Sequence, residues 1–286
     1  MTRRALLAAL AVVVVACTGS GSTASPSAST AASPEPLRLL VLGDSIAVPA
    51  IGCGDCTGFD EQYAEYLEML TGRRVDLRNE AVPAARIESL QSLLDANKEV
   101  QAGIAEADIV VVSIGYNNGP PWSPDDPCHV QEVTRDADLI SAILAMTPEC
   151  ITDTIEKYRG ELDAVYGRIA GLAAGRPQVR ITFGVFDNIR DNPGRDGSFA
   201  QVPREDMARA TELFASIYDR WNVMDCEVAT AHGFVCAALR HAFNGRDGKS
   251  SVGPFTAPDW LHPNEAGQAV MAKLLERVDV SALTDR

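Results

Sequence analysis

The chain has 286 residues, 22% of them charged, and a formal charge of −14. So acidic a balance argues against phosphate-neutralising nucleic-acid binding and against electrostatic adsorption to anionic lipid. Its length is compatible with one α/β domain behind an export segment.

Arg3 and Arg4 precede an apolar run from Ala5 to Ala16 that stops at Cys17. A basic start, a short apolar stretch and small flanking residues predict a signal peptide over residues 1–16, too short to persist as a membrane span. Val14-Val15-Ala16-Cys17 resembles a bacterial lipobox, which implies lipidation of Cys17. An ordinary cleaved signal with a bystander cysteine is the competing reading. Residues 17–36 are mostly Ser, Thr, Ala, Gly and Pro, so they are expected to form a tether without a core. Loss of Arg3 and Arg4 with the signal would take the charge from −14 to −16.

Residues 37–286 read as the folded domain. Leu37-Arg38-Leu39-Leu40-Val41-Leu42 is an apolar run halted by Gly43-Asp44-Ser45, the pattern of a strand buried on both faces. Gly43 permits the sharp turn that presents Ser45 at the carboxyl edge of a sheet, where ligands of open α/β sheets bind. Helical spacing is predicted from Gly58 to Leu70, a short strand over Val75–Asn79 and a largely helical stretch from Arg86 to Ala105. Asp108–Gly115 is the clearest buried strand. Residues 119–150 break the alternation as a Pro-rich excursion with an apolar segment near Leu139–Met146. Beyond it come a helix over Thr152–Ala173, a strand over Val179–Phe186, a helix over Arg204–Ala231 and a strand over Phe234–Leu239. Pro263–Val278 closes the chain as a helix with Pro at its start. This alternation predicts a mainly parallel sheet with helices on both faces, a three-layer α/β/α sandwich.

Seven cysteines are present, and setting Cys17 aside leaves six. An even set in an exported chain points to disulfides, although six cysteines allow 15 pairings. The sequential set, Cys53–Cys56, Cys128–Cys150 and Cys226–Cys236, closes the shortest loops. Cys53-Gly54-Asp55-Cys56 has no second Cys-x-x-Cys beside it, which argues against zinc. No metal is expected.

Asp259-Trp260-Leu261-His262-Pro263-Asn264 brings a carboxylate and an imidazole together at the mouth of the last helix. A serine hydroxyl needs such a base, and the base needs an orienting partner. A histidine's ordinary pKa, about 6.5, suits proton transfer near neutrality. Asp126-Pro127-Cys128-His129 shares the Asp-x-x-His spacing, but it lies among prolines with no helix pattern after it. His232 and His241 lack an acidic residue three positions earlier.

Gly43-Asp44-Ser45 near the start and Asp259-x-x-His262-Pro263 near the end together resemble the GDSL, or SGNH, hydrolases. The resemblance implies a flavodoxin-like five-stranded sheet of order 2-1-3-4-5. It implies Ser45 as nucleophile, His262 as base and Asp259 as its orienting partner, with Asp44 holding the loop. Ile114-Gly115-Tyr116-Asn117-Asn118 resembles the family's Gly-x-Asn-Asp block and assigns Asn117 as an oxyanion donor, with Asn118 in place of the usual aspartate. Ala84, near the position of the family's oxyanion-hole glycine, is expected to donate its N–H, provided no positive φ is needed there. Ser45 N–H is the third donor. Some secreted lipases of this family are similar in their disulfides.

The reading is therefore a lipid-anchored or secreted extracytoplasmic serine esterase, lipase-like or carboxylesterase-like, working as a monomer on a small-molecule or lipid ester without a cofactor. Trp122 and the apolar part of the insert are candidate acyl-chain contacts. Deacetylation of a cell-envelope polysaccharide is the enzymatic alternative. A binding protein that kept the fold and lost catalysis is the non-enzymatic one.

Overall fold

β1 (Leu37–Gly43) is flanked by β2 (Val75–Asn79) and β3 (Ile109–Ser113), and β4 (Val179–Phe183) and β5 (Val235–Ala237) extend the sheet beyond β3. A computed structural model describes residues 34–120 and 123–284, with the side chains of Arg195, Asp196 and Thr284 left aside. The expected signal peptide, Cys17, nearly all of the tether and Trp122 lie outside the described residues. Every pair is parallel, and the order is 2-1-3-4-5, as the resemblance implied.

This order follows from strand composition. Ile109, Val110, Val111 and Val112 are all fully buried, so β3 takes the centre. In β2, by contrast, Asp76 and Arg78 alternate outward, which suits an edge strand. Right-handed crossovers then assign the helices to faces. The step from β1 out to β2 carries α1 (Pro49–Cys53) and α2 (Phe59–Thr71) to one face, where α8 (Leu239–Phe243) and α9 (Glu265–Leu275) join them. Steps in the opposite direction carry α3 (Ile87–Ala96), α4 (Lys98–Glu106), α5 (Asp136–Leu144), α6 (Pro148–Leu172) and α7 (Arg204–Ala231) to the other. A short α10 (Ser281–Thr284) ends the described chain.

Several boundaries differ from the sequence reading, each for a local reason. The Arg86–Ala105 stretch is two helices, because the Asn97 side chain leaves the helical path and caps α4 through the N–H groups of Glu99 and Val100. α6 starts earlier than expected, with Thr147 as its N-cap and Pro148 in its first turn. Pro263 precedes α9 instead of opening it. Asn264 is the cap, accepting from Gly267 N–H at 3.0 Å. β4 stops at Phe183 and β5 spans only three residues. All three disulfides form in the sequential pattern.

Asp225, on α7, is 1% exposed and sits inside the packing of α6, α7 and β4. Its Oδ1 accepts from the Tyr166 hydroxyl at 2.6 Å, and that hydroxyl also meets Thr182 Oγ1 at 2.8 Å. Burial pushes the carboxyl up to about 7, against a smaller lowering by the Tyr166 hydrogen bond. The native state therefore holds a proton that the unfolded chain releases near pH 4, so this group's contribution is complete at low pH and is lost as pH rises through about 7. Asp225→Asn should remove that dependence. Denaturant unfolding at pH 4 and pH 8 should show the wild type losing stability relative to the variant, on the order of a few kcal/mol. Parallel pH dependences of the two proteins would contradict this assignment.

Candidate active site

The carboxyl ends of β1, β2 and β3 are joined by short hydrogen bonds that build one loop cluster. Gly43 allows it: a Cβ there would lie 2.0 Å from the Ser113 carbonyl oxygen, so only glycine lets β1 and β3 end so close together. Asp44 N–H donates to that carbonyl at 2.9 Å. The Asp44 side chain is fully buried, its Oδ1 accepting from Ile46 N–H at 3.0 Å and its Oδ2 from Tyr116 N–H at 3.3 Å. Burial pushes this carboxyl up to about 7, although the N–H groups of Ile46, Tyr116 and Gly115 pull the other way. Ser45 follows Asp44 directly and Asn117 follows Tyr116, so one carboxylate fixes the positions of both candidates.

β2 contributes from the other side. Asn79 donates its side-chain amide to the Ala47 carbonyl, holding the Ser45–Ala47 turn, and to Asp60 Oδ2, both at 2.8 Å. Past the end of β2, Val82 N–H donates to the Gly43 carbonyl at 3.0 Å, which carries the loop containing Ala84 alongside the nucleophile turn. Asn117 then donates to the Ala85 carbonyl at 2.9 Å, and its amide retains a second N–H. The N–H groups of Ser45 and Ala84 have no acceptor among the described residues.

Ala84 adopts φ 61°. The loop does require a left-handed residue, contrary to the condition under which alanine was expected to serve as well as glycine, and this conformation costs about 1–2 kcal/mol for a residue with a Cβ. Asn118 replaces the family's aspartate, and the structure supplies its partners. Its Oδ1 accepts from Ile87 N–H at 2.8 Å, the first residue of α3, and its amide donates to Glu88 Oε2 at 2.9 Å.

The acid–base pair sits on the loop before α9. Asp259 Oδ2 meets His262 Nδ1 at 2.6 Å, while Asp259 Oδ1 accepts from the N–H groups of Leu261 and His262, each at 3.0 Å. Burial alone would raise the Asp259 carboxyl, but the His262 ring and these two N–H groups outweigh it and hold the carboxyl below its ordinary range. The bond at Nδ1 leaves Nε2 as the nitrogen free to handle a proton. Trp260, inside this loop, has φ 60°, an outlier for so bulky a residue.

Gly52 seats this loop on α1. A Cβ at Gly52 would lie 2.2 Å from the Pro263 carbonyl oxygen and 2.9 Å from His262 Cβ, so the His262 segment rests directly on α1, the helix that starts four residues after Ser45. Ser45 Oγ itself makes no hydrogen bond among the described residues, and such bonds commonly tighten only once substrate is seated. Ser45 is 8% exposed.

A cavity of about 450 Å³ adjoins these groups. Ala84, Asn117 and Asp259 line it, together with Trp260, Tyr218 and Asn188. Arg86 also reaches it, donating to Ser123 Oγ at 3.2 Å and pairing with Asp125 at 3.7 Å, which ties the insert to the site. Leu139 of α5 brings the apolar part of the insert to the cavity wall. Of these residues, Arg86 and Asn188 follow β2 and β4 at the ligand-binding edge and were traceable by that rule. Tyr218, in the middle of α7, carries no such signal.

The other Asp-x-x-His is structural. Asp126 Oδ1 accepts from Cys128 N–H and from the Thr154 hydroxyl, both at 2.7 Å, while the His129 ring faces Glu132 at 3.5 Å. None of His129, Ser45 and His262 lines the cavity, whereas Asp259, Ala84 and Asn117 do. His232 pairs with Asp163 at 2.8 Å between α6 and α7, and His241 is exposed.

The five-stranded parallel sheet of order 2-1-3-4-5 with helices on both faces matches the α/β fold of the SGNH hydrolases. The chain belongs to the GDSL-like Lipase/Acylhydrolase family, whose model matches residues 41–270. Among solved structures, it is similar to the lipase Lip_vut3 from a goat rumen metagenome, at 16% identity and TM-score 0.58, over 84% of this chain and 95% of that one. It is also similar to a variant of Axe2, an acetylxylan esterase from Geobacillus stearothermophilus, at 15% identity and TM-score 0.52, over 86% and 96%. LAE5, an alpha/beta hydrolase enzyme from the metagenome of Lake Arreo, Spain, is 20% identical with TM-score 0.51, over 84% and 93%. No curated protein sequence matches the chain.

The Asn118–Glu88 contact makes a directional prediction. Asn118→Asp restores the family's residue but sets a carboxylate against the Glu88 carboxylate. The variant should be less stable than wild type by about 1–3 kcal/mol at pH 8, with a smaller deficit at pH 4. Thermal melts at the two pH values test this, and a deficit independent of pH would contradict it.

Proposed function

We propose that this chain is an extracytoplasmic serine ester hydrolase in which Ser45, His262 and Asp259 form the triad. The observation that carries the reading is the Asp259–His262 pair at 2.6 Å on a loop seated against α1, directly after the Ser45 turn. Membership of the family supports ester hydrolysis as the reaction.

In this mechanism Ser45 Oγ attacks the ester carbonyl carbon while His262 Nε2 takes its proton, and Asp259 stabilises the imidazolium at Nδ1. The carbonyl oxygen becomes an oxyanion received by Ser45 N–H, Ala84 N–H and the free N–H of Asn117, donors typically worth about 10²–10³ in rate each. Collapse of the tetrahedral intermediate breaks the bond to the alkoxide, which leaves with the proton from His262. Water, deprotonated by His262, then attacks the acyl-enzyme and releases the acid and Ser45.

Three disulfides support an oxidising compartment and agree with a signal over residues 1–16. Anchoring through a lipid on Cys17, with residues 18–36 as tether, belongs to the same proposal, as does a monomer acting without cofactor or nucleic acid. Among ester classes the reading is a carboxylesterase or lipase. Deacetylation of a polysaccharide is a second reading, favoured by the polar side chains Asn188, Asn192 and Tyr218 in the cavity and by the acetylxylan esterase among the similar structures.

A fluorophosphonate probe should label the wild type and leave Ser45→Ala unlabelled. Asp259→Asn should keep the fold and slow p-nitrophenyl acetate hydrolysis by about 10²–10⁴. Labelling that persists in Ser45→Ala would contradict the assignment, and a folded wild type that takes no label would favour a binding protein.

A further inference from the structure

Most polar groups around the cavity are already engaged by the protein. Arg86 is held by Ser123 and Asp125. Asn192 donates to the Asn188 carbonyl and accepts from Gly194 N–H, at 2.8 and 2.7 Å. Asn117 gives one N–H to the Ala85 carbonyl, and the Tyr116 hydroxyl is taken up by the backbone of Phe186.

Two groups are left over. The Tyr218 hydroxyl and the Asn188 side-chain amide have no hydrogen-bond partner among the described residues, and both residues line the cavity. Tyr218 is 8% exposed, and its ring is fixed edge-on against Phe214 at 4.5 Å and beside Tyr116 at 6.4 Å. The Tyr218 hydroxyl opens on the cavity, so its hydrogen-bonding capacity is available to water or to a ligand. The Tyr63 hydroxyl is also unpartnered, but it is enclosed in the protein, whereas Tyr218 opens on space large enough for a ligand.

We infer that Tyr218 and Asn188 are specificity-determining residues that read the hydroxyl groups of a polyhydroxylated alcohol, so that the preferred substrate is an ester of a polyol or sugar. This rests on the esterase reading above and narrows it. A phenol donates and accepts, and a side-chain amide does both with separate atoms, which is the complement a hydroxyl needs. The remaining wall, Leu139, Ile189, Phe199 and Leu261, supplies apolar surface for the C–H faces of such an alcohol. Arg86, the cationic side chain among the described lining residues, is engaged by Ser123 and by Asp125. Discrimination of this kind is strong because a substrate lacking the hydroxyls leaves the protein's own polar groups unsatisfied.

The test compares glycerol monoacetate with n-propyl acetate, which share a carbon skeleton and differ by two hydroxyls. Wild type should favour glycerol monoacetate in kcat/KM by at least about tenfold. Tyr218→Phe keeps the ring packing and should cut that preference to about threefold or less, the larger loss of kcat/KM falling on glycerol monoacetate. Asn188→Ala should act in the same direction, and thermal melts should show both variants folded. A wild type without the preference, or a Tyr218→Phe variant slowed by the same factor on both esters so that the preference is kept, overturns the inference. A folded wild type that hydrolyses neither ester and takes no fluorophosphonate label overturns the esterase reading along with it.

Discussion

The buried carboxylate of Asp44 is the contact on which the arrangement depends. Parallel strands end with their next N–H groups aimed at one another's turns, and a turn packed this deeply cannot use water to satisfy them. Asp44 accepts from Ile46 on its own turn and from Tyr116 on the loop after β3. Its pKa, pushed up to about 7, records how much burial opposes the charge. Gly43 makes the approach sterically possible, and Asn79 and Val82 bring the loop after β2 into the same cluster. Three successive strand ends in the sheet thereby gather Ser45, Ala84 and Asn117 into one loop cluster.

The Asp259–His262 pair is positioned by a different route. It comes from the far end of the chain, and what seats it is the absence of a side chain at Gly52. Asn264 ties the loop down by donating to the Thr256 carbonyl at 2.8 Å and capping α9. Backbone strain collects in the same region. The non-glycine residues with positive φ among those described are Ala84, Asp191 and Trp260. Ala84 and Trp260 line the cavity, and Asp191 lies between the lining residues Ile189 and Asn192. Strain of this kind persists where surrounding contacts over-determine the backbone, as they do at positioned sites.

Much of this was legible from residue pattern. β2 and α7 fall on the residues that periodicity assigns, and the apolar cores of β1 and β3 were plain because a doubly buried strand needs continuous apolar residues. The pairing of Asp259 with His262 was readable from spacing alone, and the disulfide set followed loop length. Other features left no periodic trace. α1 and α8 are five residues each, too short for a helical stripe to show. The break at Asn97 depends on one side chain folding back, and the left-handed turn at Ala84 hides behind a residue that ordinarily avoids it. Tyr218 is indistinguishable in sequence from the tyrosines that pack the core, since only the assembled cavity gives its hydroxyl an opening.

The most direct measurement of the central claim is a crystal structure of the protein after reaction with an alkyl phosphonate ester. Phosphorus should be bonded to Ser45 Oγ, with its phosphoryl oxygen within hydrogen-bonding distance of Ser45 N, Ala84 N and Asn117 Nδ2, and His262 Nε2 facing Ser45 Oγ. An adduct on another side chain, or a phosphoryl oxygen turned away from Ala84 and Asn117, would contradict it.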